Sequence, residues 1–457
     1  MTKEEYIALT RFGMGVTPGD LRNPIAETGK TPKQWLKQQL SPLAFDDNLP
    51  SSTDMLRSVA DYRKSLEGVK KSQSNDGASA HKKKLRSLRK SFNRSQNTYN
   101  NNVIQRAAAA HQSINWRLLD FFSNHFSVSA VNAPMKALAP TLEREAIAPN
   151  LTGKFEDLLI AVAQHPAMII YLDNTRSIGP NSRIGRRRDK GLNENLAREI
   201  LELHTLGVDG GYTQSDVLEL SKAITGWSLA TQRDGNANGF MFRSAMHEPG
   251  SRRVMGRSFR QSDVSQGEKI LKYLATHTST ARYLSTKLAR HFISDEPPVS
   301  LVNKLQQTWL NTDGDILSVM YTLIDAEESW SDTPQKFKTP REFFISTLRA
   351  ADMQTLDPQI SQFSLTELGQ APFQAGSPAG YEDTAQNWLS PSLLTARADW
   401  SIKFAQRWKE HVPAINQLLN QLFGEHISEL TRKSILRAES KQAALAMLLM
   451  SPEFQRR

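Results

Sequence analysis

A mainly α, multi-helix globular protein with long polar loops and at most a small β-hairpin is predicted by three features of the sequence. Four helix starts have a Thr that can cap the first turn, with an acid or amide three residues later. Seven long stretches repeat apolar residues with the 3.6-residue period of a helix. Alternating strand patterns are scarce, and the segment 239–256 is the best candidate for a hairpin or a long loop.

These helix signals follow one another along the whole chain. The capped starts are Thr17 with Asp20, Thr31 with Gln34, Thr213 with Asp216, and Thr339 with Glu342. In all but the third, a Pro takes the first helical position, where its missing N–H costs little. The periodic stretches are 112–127, 155–172, 193–206, 215–227, 280–292, 316–326 and 441–450.

The order of these signals predicts four regions. We expect N-terminal helices in 1–62 and a basic, partly flexible helical insertion in 63–94. A central helical core carrying a polar motif follows in 95–350, and a C-terminal helical lobe packed on that core is expected in 351–457.

The composition limits the function classes. The chain has 457 residues, 39% hydrophobic and 23% charged, which is typical of a soluble globular protein. No apolar run approaches the roughly 18 to 20 residues needed to span a bilayer. The absence of Cys excludes disulfides, thiolate zinc sites and Cys nucleophiles. No secretory signal is visible, so we expect a cytoplasmic protein, with periplasmic location or secretion by a signal-less route left open.

The net charge of +10 is concentrated in one segment. Region 63–94 holds eleven Lys and Arg residues and only two acids. Its second half places Leu85, Leu88 and Phe92 on one helical face with cations around them. Such a helix could contact an acidic protein, anionic lipid or nucleic acid. The alternative, which we favour, is a helix whose charges simply face solvent.

The polar motif at 191–227 is the most informative part of the sequence. At 100° per residue, Leu196, Ile200, Leu203 and Gly207 share one face, which predicts the buried stripe of a helix. On one flank of this stripe lie three polar residues, Asn195, Glu199 and Glu202. His204 lies on the other flank.

Two interpretations of the acids in this motif remain open. Glu199 and Glu202 could supply two carboxylates of a divalent metal site, completed by a His from a distant helix such as His125, His247 or His291. Alternatively, Arg198 bridges the acids four residues before and after it, and a buried ion pair fixes the helix register.

The glycine-rich turn at 207–212 also has two interpretations. It leads into a helix start near Thr213, where free N–H groups favour an anionic ligand. Asp209 and Asp216 already supply anions locally, however, so we favour a self-capped turn.

Basic and imidazole side chains elsewhere complete the candidate set. His125 follows an aromatic helix and is either a core histidine or a catalytic base. Lys287, Arg290 and His291 share one helical face, which is either an anion site or a solvated edge.

The chain resembles the bacterial family catalogued as domain of unknown function 1800. The resemblance rests on YLDNTRSIGPNS at 171–182, followed by GLNENLAREILELHTLGVDGGYTQSDVLELSKAITGW at 191–227. Further matching text is RFGMGVTPGD, LLDFFSNHFSVS, FEDLLIAVAQHPAM, HEPG, TARYLSTKLARHF, TDGDI and LLMSPEFQRR. The pair His247-Glu248 departs conservatively from the HDPG-like text of the family, and region 63–94 carries no family text.

The resemblance implies a mainly helical fold but no reaction. It also implies a candidate partner, because related genes often lie beside those of proteins that resemble alkaline phosphatases and sulfatases. The 171–182 segment adds Asn174 to the candidate ligand-binding residues.

Two functional hypotheses follow. The first is a hydrolytic or metal-assisted enzyme with a polar cleft built around 193–213. The second is a non-catalytic helical binding or scaffold protein, partnering a phosphatase-like or sulfatase-like protein. For the enzyme, the candidate catalytic residues are His125, Glu199, His204 and His247. The candidate ligand-binding residues are Asn174, Asn195, Arg198, Asp209, Lys287, Arg290 and His291. No P-loop, G-x-S-x-G or H-E-x-x-H motif is present.

Overall fold

Helices make up most of the chain in a computed structural model, which describes residues 1–22, 25–46, 48–71, 75–111, 113–188, 191–231, 234 and 239–457. The first twelve helices of these ranges are α1 Lys3–Ile7, α2 Pro18–Arg22, α3 Pro32–Gln39, α4 Ser52–Lys71, α5 Asn75–Ala109, α6 Ser113–His125, α7 Ala133–Leu142, α8 Phe155–Gln164, α9 Pro166–Tyr171, α10 Gly185–Arg188, α11 Asn195–Glu199 and α12 Gln214–Ala223. The others are α13 Ser265–Ala275, α14 Thr278–Phe292, α15 Val299–Asn311, α16 Ile316–Asp325, α17 Pro340–Ala350, α18 Pro358–Glu367, α19 Ala385–Trp388, α20 Pro391–Trp408, α21 Ile415–Phe423, α22 Glu429–Leu436, α23 Lys441–Met450 and α24 Pro452–Gln455.

The β structure consists of two small antiparallel pairs in the described residues. Strand β1 (Trp227–Leu229) pairs with β2 (Phe240–Phe242), and β3 (Arg252–Val254) pairs with β4 (Arg257–Phe259). The mainly α prediction is confirmed, although 239–256 contributes to two pairs instead of forming one hairpin. Three-residue strands are too short to give an alternating pattern, which explains why β1 and β4 were not predicted.

The predicted helix caps are confirmed. Thr31, Thr213 and Thr339 each accept a hydrogen bond from the backbone N–H three residues on, and the partner side chain accepts one in return. Thr17 and Asp20 make the same reciprocal pair at the start of α2.

The basic region 63–94 forms parts of two helices, α4 and α5, that pack against each other. Leu85 and Phe92 are buried, and the ring of Phe92 lies 6.0 Å from that of Tyr62 on α4. The apolar face of the basic helix is therefore covered by the same chain, and its cations face outward. Within region 63–94, which was expected to be partly flexible, residues 63–71 belong to α4, 72–74 lie outside the described residues, and 75–94 belong to α5.

The stretch predicted as one helix over 155–172 is two helices, α8 and α9. Pro166 lacks the N–H that would continue the ladder, and it forces the preceding residue, His165, into an extended conformation. The His165 imidazole then caps α9 by accepting a hydrogen bond from Ala167 N at 3.2 Å.

In the central motif, α11 continues as a π-helical turn over Ile200–Thr205. The N–H of Leu206 donates to the carbonyl of Leu201, five residues back, at 3.0 Å. This wider turn changes which side chains face the core: Leu201 and His204 are buried, while Leu203 is only partly buried. The placement predicted for Leu203 and His204 was wrong because it assumed 100° per residue throughout.

One contiguous apolar core extends from Tyr6 near the start of the chain to Phe454 near its end. Helices α6, α14 and α17 contribute to this core and carry buried polar or charged side chains, including Arg117, His291 and Glu342. In the described ranges, no helix has both the length and the apolar character needed to cross a bilayer.

Candidate functional site

A polar cavity of about 90 Å³ lies between the end of α6, the last turns of α14 and the segment 379–384. It is lined by Phe121, Asn124, His125, Lys287, Arg290, His291, Ala379, Tyr381, Glu382, Asp383 and Thr384. The structure thus brings His125, Lys287, Arg290 and His291 together, although His125 is more than 150 residues from the other three in sequence.

Segment 379–384 is held against α6 by Asn124. Its amide donates to the Tyr381 carbonyl at 2.7 Å and accepts from the Tyr381 N–H at 2.7 Å. Gly380 has φ +84°, and a Cβ there would lie 2.4 Å from the Asn124 carbonyl oxygen. Only glycine fits this close backbone approach, which places Glu382 and Asp383 at the cavity.

His125 and Lys287 form the central pair of the cavity. Lys287 Nζ lies 3.0 Å from His125 Nδ1, and His125 Nε2 lies 3.2 Å from the His204 carbonyl oxygen. Because the carbonyl can only accept, His125 donates through Nε2, and its Nδ1 accepts from Lys287. His125 is a buried, neutral imidazole that orients the lysine.

The environment lowers the pKa of both groups. Burial is the main cause for His125, whose pKa lies well below its usual range, and the Lys287 charge acts in the same direction. Burial also lowers the pKa of Lys287 to about 8, with Arg290 contributing, against the opposing effect of Asp383 and Glu382. Lys287 therefore gives up its proton at a lower pH than an exposed lysine does.

His291 belongs to a second pair, with Asp383. Its Nδ1 lies 2.8 Å from Asp383 Oδ2, while Asp383 Oδ1 lies 3.0 Å from Lys336 Nζ. Lys336 also bridges to Asp295 at 2.7 Å. Burial acts to raise the pKa of Asp383, but His291 and Lys336 outweigh it and hold that pKa well below its usual range.

Beneath this pair lies a buried ion network centred on Glu342 of α17. Its Oε1 contacts Arg117 of α6 and lies 2.8 Å from Arg457 Nη2, while Oε2 accepts from Thr339 N at 2.9 Å. Burial acts to raise the pKa of Glu342, but Arg457 and Arg117 dominate and hold it well below the usual range. The network joins α6, α17 and residue 457 behind the cavity.

Asp120, His291 and Glu342 offer ligand atoms within 4.8 Å of one another, the one three-residue cluster of this kind in the described part of the chain. Asp120 already lies 3.1 Å from the Arg341 guanidinium, and Glu342 is paired with two arginines. Guanidinium groups occupy the positions that a cation would need. The donor set therefore favours an ion-pair network over a metal site.

A wider groove of about 620 Å³ adjoins the cavity and shares Arg290 with it. One wall is the turn 207–210, which includes the exposed Asp209, and the other is the outer face of α14. Gly207 has φ +86°, and a Cβ there would lie 2.9 Å from the Tyr283 ring. The glycine turn therefore shapes the groove through close packing on Tyr283.

The acidic flank of the central motif lies outside both cavities. Glu202 accepts from Tyr212 OH at 3.1 Å, and burial together with the Glu202 charge raises the pKa of Glu199. Among the described residues, no third acid or imidazole completes a cluster with these two carboxylates. Asn195 is exposed, and its backbone N–H donates to the Asn193 side chain at 2.9 Å.

Arg198 makes a surface contact, not the buried ion pair predicted as the alternative to a metal site. It lies 2.9 Å from Glu194 and 2.9 Å from Gln214, and its side chain is 41% exposed. The predicted pairing with Glu194 is present, but the guanidinium turns toward the start of α12 and solvent.

His204 lies behind His125 in the core. Their ring centroids are 6.2 Å apart, and burial, followed by the Lys287 charge, lowers the pKa of His204 to about 3. Its contribution to the cavity is the backbone carbonyl that fixes His125, not its imidazole.

His247 and Asn174 belong to a different polar cluster, near β1. His247 Nδ1 lies 3.1 Å from the Thr225 carbonyl, and Asn174 donates to the Trp227 carbonyl at 2.9 Å. Neither residue lines the cavity around Lys287. Both bind backbone carbonyls around the end of α12, which is a structural role.

Several residues of the site were not anticipated from the sequence. Glu382 and Asp383 lie in a segment without a recognisable motif, and Arg117 looks like any residue of an amphipathic helix. Glu342 was recognised only as a capping residue. Its second role, binding two arginines, depends on chain segments that are distant in sequence.

A family model described as "Protein of unknown function (DUF1800)" matches residues 7–456. The structure shows a mainly α protein with a buried ion network and a polar cavity. It belongs to the DUF1800 family, as its motifs indicated. No curated protein and no solved structure matches the chain.

Proposed function

We propose that the protein is a hydrolytic enzyme that acts on an anionic substrate bound in the polar cavity, with Lys287 as the general acid and base. The main observation behind this proposal is the contact between Lys287 Nζ and His125 Nδ1 at the wall of that cavity. The lowered pKa of Lys287, about 8, supports this role, because an acid–base catalyst works best near the ambient pH.

An anionic substrate is supported by two cations of α14, Lys287 and Arg290, which line the cavity and have no carboxylate in direct contact among the described residues, although Glu382 and Asp383 also reach this cavity. Arg290 donates through Nε to the Asp295 carbonyl at 3.1 Å, which orients the guanidinium without neutralising it. Lys287 is bound to an uncharged imidazole. One turn of helix therefore presents two cations without a directly paired carboxylate to a cavity that fits a single small oxyanion group.

The chemical step follows from the two protonation states of Lys287. The neutral amine takes a proton from a water molecule as the water oxygen forms a bond to the electrophilic centre. The bond from that centre to the leaving group breaks, and the lysine ammonium then returns the proton to the leaving group. His125 acts as a positioning residue because its own lone pair is used to hold Lys287 Nζ.

The groove next to the cavity supports a substrate larger than its anionic group. Arg290 lines both spaces, so an oxyanion held by its guanidinium would have the rest of the molecule in the groove along turn 207–210. In this arrangement the glycine motif is a wall of the substrate site and does not supply catalytic groups.

Reductive labelling with pyridoxal 5′-phosphate tests this function. The reagent carries a phosphate and an aldehyde that condenses with a neutral amine, and borohydride then fixes the adduct. We expect preferential labelling of Lys287 with a midpoint near pH 8, protection by inorganic phosphate, and weaker labelling in Arg290→Met. Exposed Lys304, which is paired with Glu328, is the internal control.

Activity is measured in parallel with chromogenic phosphate, sulfate and carboxylate esters. Lys287→Met should abolish turnover, whereas Lys304→Met should leave it unchanged. If Lys287 is labelled no faster than Lys304 and no ester is hydrolysed, the enzyme proposal is wrong.

A second candidate function is a binding or scaffold protein, favoured by the exposed basic face of α4 and α5. Lys82, Lys83, Arg86 and Lys90 are all exposed, and the apolar residues beneath them are covered. Such a face suits an acidic protein, including a phosphatase-like or sulfatase-like partner. Binding of an acidic partner protein that is lost when these four positions are changed to Glu would support the scaffold function.

A further inference from the structure

A second, apolar groove of about 630 Å³ lies between α5, α17, α18 and α20. It shares no lining residue with the polar cavity or with the groove along 207–210. Its walls include Phe344, Leu348, Trp400, Phe404 and Trp408. This volume is within the range of roughly 300 to 1,000 Å³ that small-molecule sites occupy in proteins.

The groove is an open concavity with buried apolar side chains along its walls. Phe344, Leu348, Trp400 and Phe404 are all buried, so their rings and methyl groups form walls and not a projecting patch. Phe363 is 66% exposed at the rim, so its ring extends the apolar surface of the groove outward. A concavity with apolar walls and an aromatic ring at its edge suits a small ligand better than a flat protein surface.

Half of the residues that line the groove are polar, but only three are charged, the two cations Lys403 and Arg407 and the acid Glu367. Lys403 is paired with Glu367, which leaves Arg407 as the cation without an acidic partner among the described residues. The Arg407 guanidinium lies 5.2 Å from the Trp408 ring centroid, which holds it beside the apolar wall. The side-chain oxygen of Gln362 is buried against the groove without a hydrogen-bond partner.

We propose that this groove binds one amphipathic small molecule with an aliphatic or aromatic body and a single anionic head group. The body would lie against Trp400 and Phe404, and the head group would pair with Arg407. The Gln362 amide, which can present either its oxygen or its NH₂ group, would bind the polar end of the same molecule. A medium-chain carboxylate is the simplest compound with this chemistry.

Calorimetric titration with decanoate tests the proposal, with decyltrimethylammonium as a probe of equal chain length and opposite charge. We expect saturable binding of one decanoate per chain, at least tenfold tighter than that of the cation. Arg407→Met and Phe363→Asp should each weaken decanoate binding at least tenfold. Both positions are exposed, so folding should be retained.

Leu430→Asp is the matched control, because Leu430 is as exposed as Phe363 but lies on α22, outside the groove. Equal binding of the two probes, or loss of binding in Leu430→Asp, would overturn the proposal. Absence of decanoate binding together with self-association that Phe363→Asp abolishes would also overturn it, and would assign the groove to a second copy of the chain.

Discussion

Lys287 Nζ lies 3.0 Å from His125 Nδ1, so a lysine ammonium and a neutral imidazole share one hydrogen bond at the wall of a polar cavity. Because the second ring nitrogen of His125 is engaged with the His204 carbonyl, the ring has one orientation and one tautomer. The lysine is thereby held by a partner that does not neutralise its charge.

His125→Phe tests the strength of this arrangement. The substitution keeps an aromatic ring but removes both ring nitrogens, so the His204 carbonyl and Lys287 lose their partners. We expect a loss of about 1–3 kcal/mol in the free energy of unfolding, the usual cost of unsatisfied buried polar groups. Urea denaturation measures it. His111→Phe, at an exposed position, should change stability little, and equal losses in the two variants would contradict the prediction.

Glu342→Gln should be among the most destabilising single substitutions in the chain. It removes the carboxylate between the buried guanidinium groups of Arg117 and Arg457. Uncompensated buried charge typically costs about 3–5 kcal/mol. Glu429→Gln, in an exposed ion pair with Lys433, should cost less than about 0.5 kcal/mol in the same denaturation experiment. A small loss for Glu342→Gln would mean that water reaches the two arginines.

Lys338 should give the protein a distinctive pH dependence. Burial is the main cause that lowers its pKa to about 7, with nearby arginines contributing and Glu342 opposing. Between pH 8 and 10 the unfolded chain binds a proton at this lysine and the folded chain does not, so stability should rise with pH. The contribution is about 1.4 kcal/mol per pH unit.

To isolate this effect, the free energy of unfolding is measured for the protein and for Lys338→Met across that pH range, and the difference between the two is followed. The Met variant keeps most of the side-chain volume against the Phe454 ring, which Lys338 Nζ approaches to 4.4 Å. Parallel stability curves for the two proteins would show that Lys338 is protonated in the folded state.

Two glycines of the central turn provide a matched test of packing. Gly207 and Gly211 have nearly the same backbone, with φ of +86° and +84°, but only Gly207 is close to another side chain, Tyr283. Gly211→Ala should cost about 1 kcal/mol for the left-handed conformation alone. Gly207→Ala should cost about 2–3 kcal/mol, because the methyl group also displaces the Tyr283 ring. Equal costs in thermal denaturation would contradict the packing argument.

The sequence predicted local features well. Thr31, Thr213 and Thr339 cap helices as expected, because a capping box depends on residues only three apart. The apolar period located α6, α12, α14, α16 and α23, but the periodic stretches did not include the long helices α13, α15 and α20. It misplaced Leu203 and His204, since a π-helical turn changes the angle per residue without leaving a signal in the apolar pattern.

The candidate site was only half predictable, for a related reason. Lys287, Arg290 and His291 share a face of one helix, which periodicity shows directly. Asp383 and Glu382 reach the same cavity through the Gly380 backbone contact with Asn124, and no local pattern encodes that contact. The 191–227 motif provides the His204 carbonyl and one wall of the groove, whereas its candidate metal ligands Glu199 and Glu202 lie outside both cavities.

The ion pair between Arg117 and Glu342 joins residues that are 225 positions apart in the chain. Closing so long a loop is entropically costly until the intervening helices have packed, so contacts of this kind form late in folding. A peptide or fragment containing only the central motif would therefore lack the cavity altogether. Formation of the site therefore reports on folding of the whole chain. During refolding, protection of the α17 amides from hydrogen exchange and the reactivity of Lys287 should appear together, after the individual helices have formed.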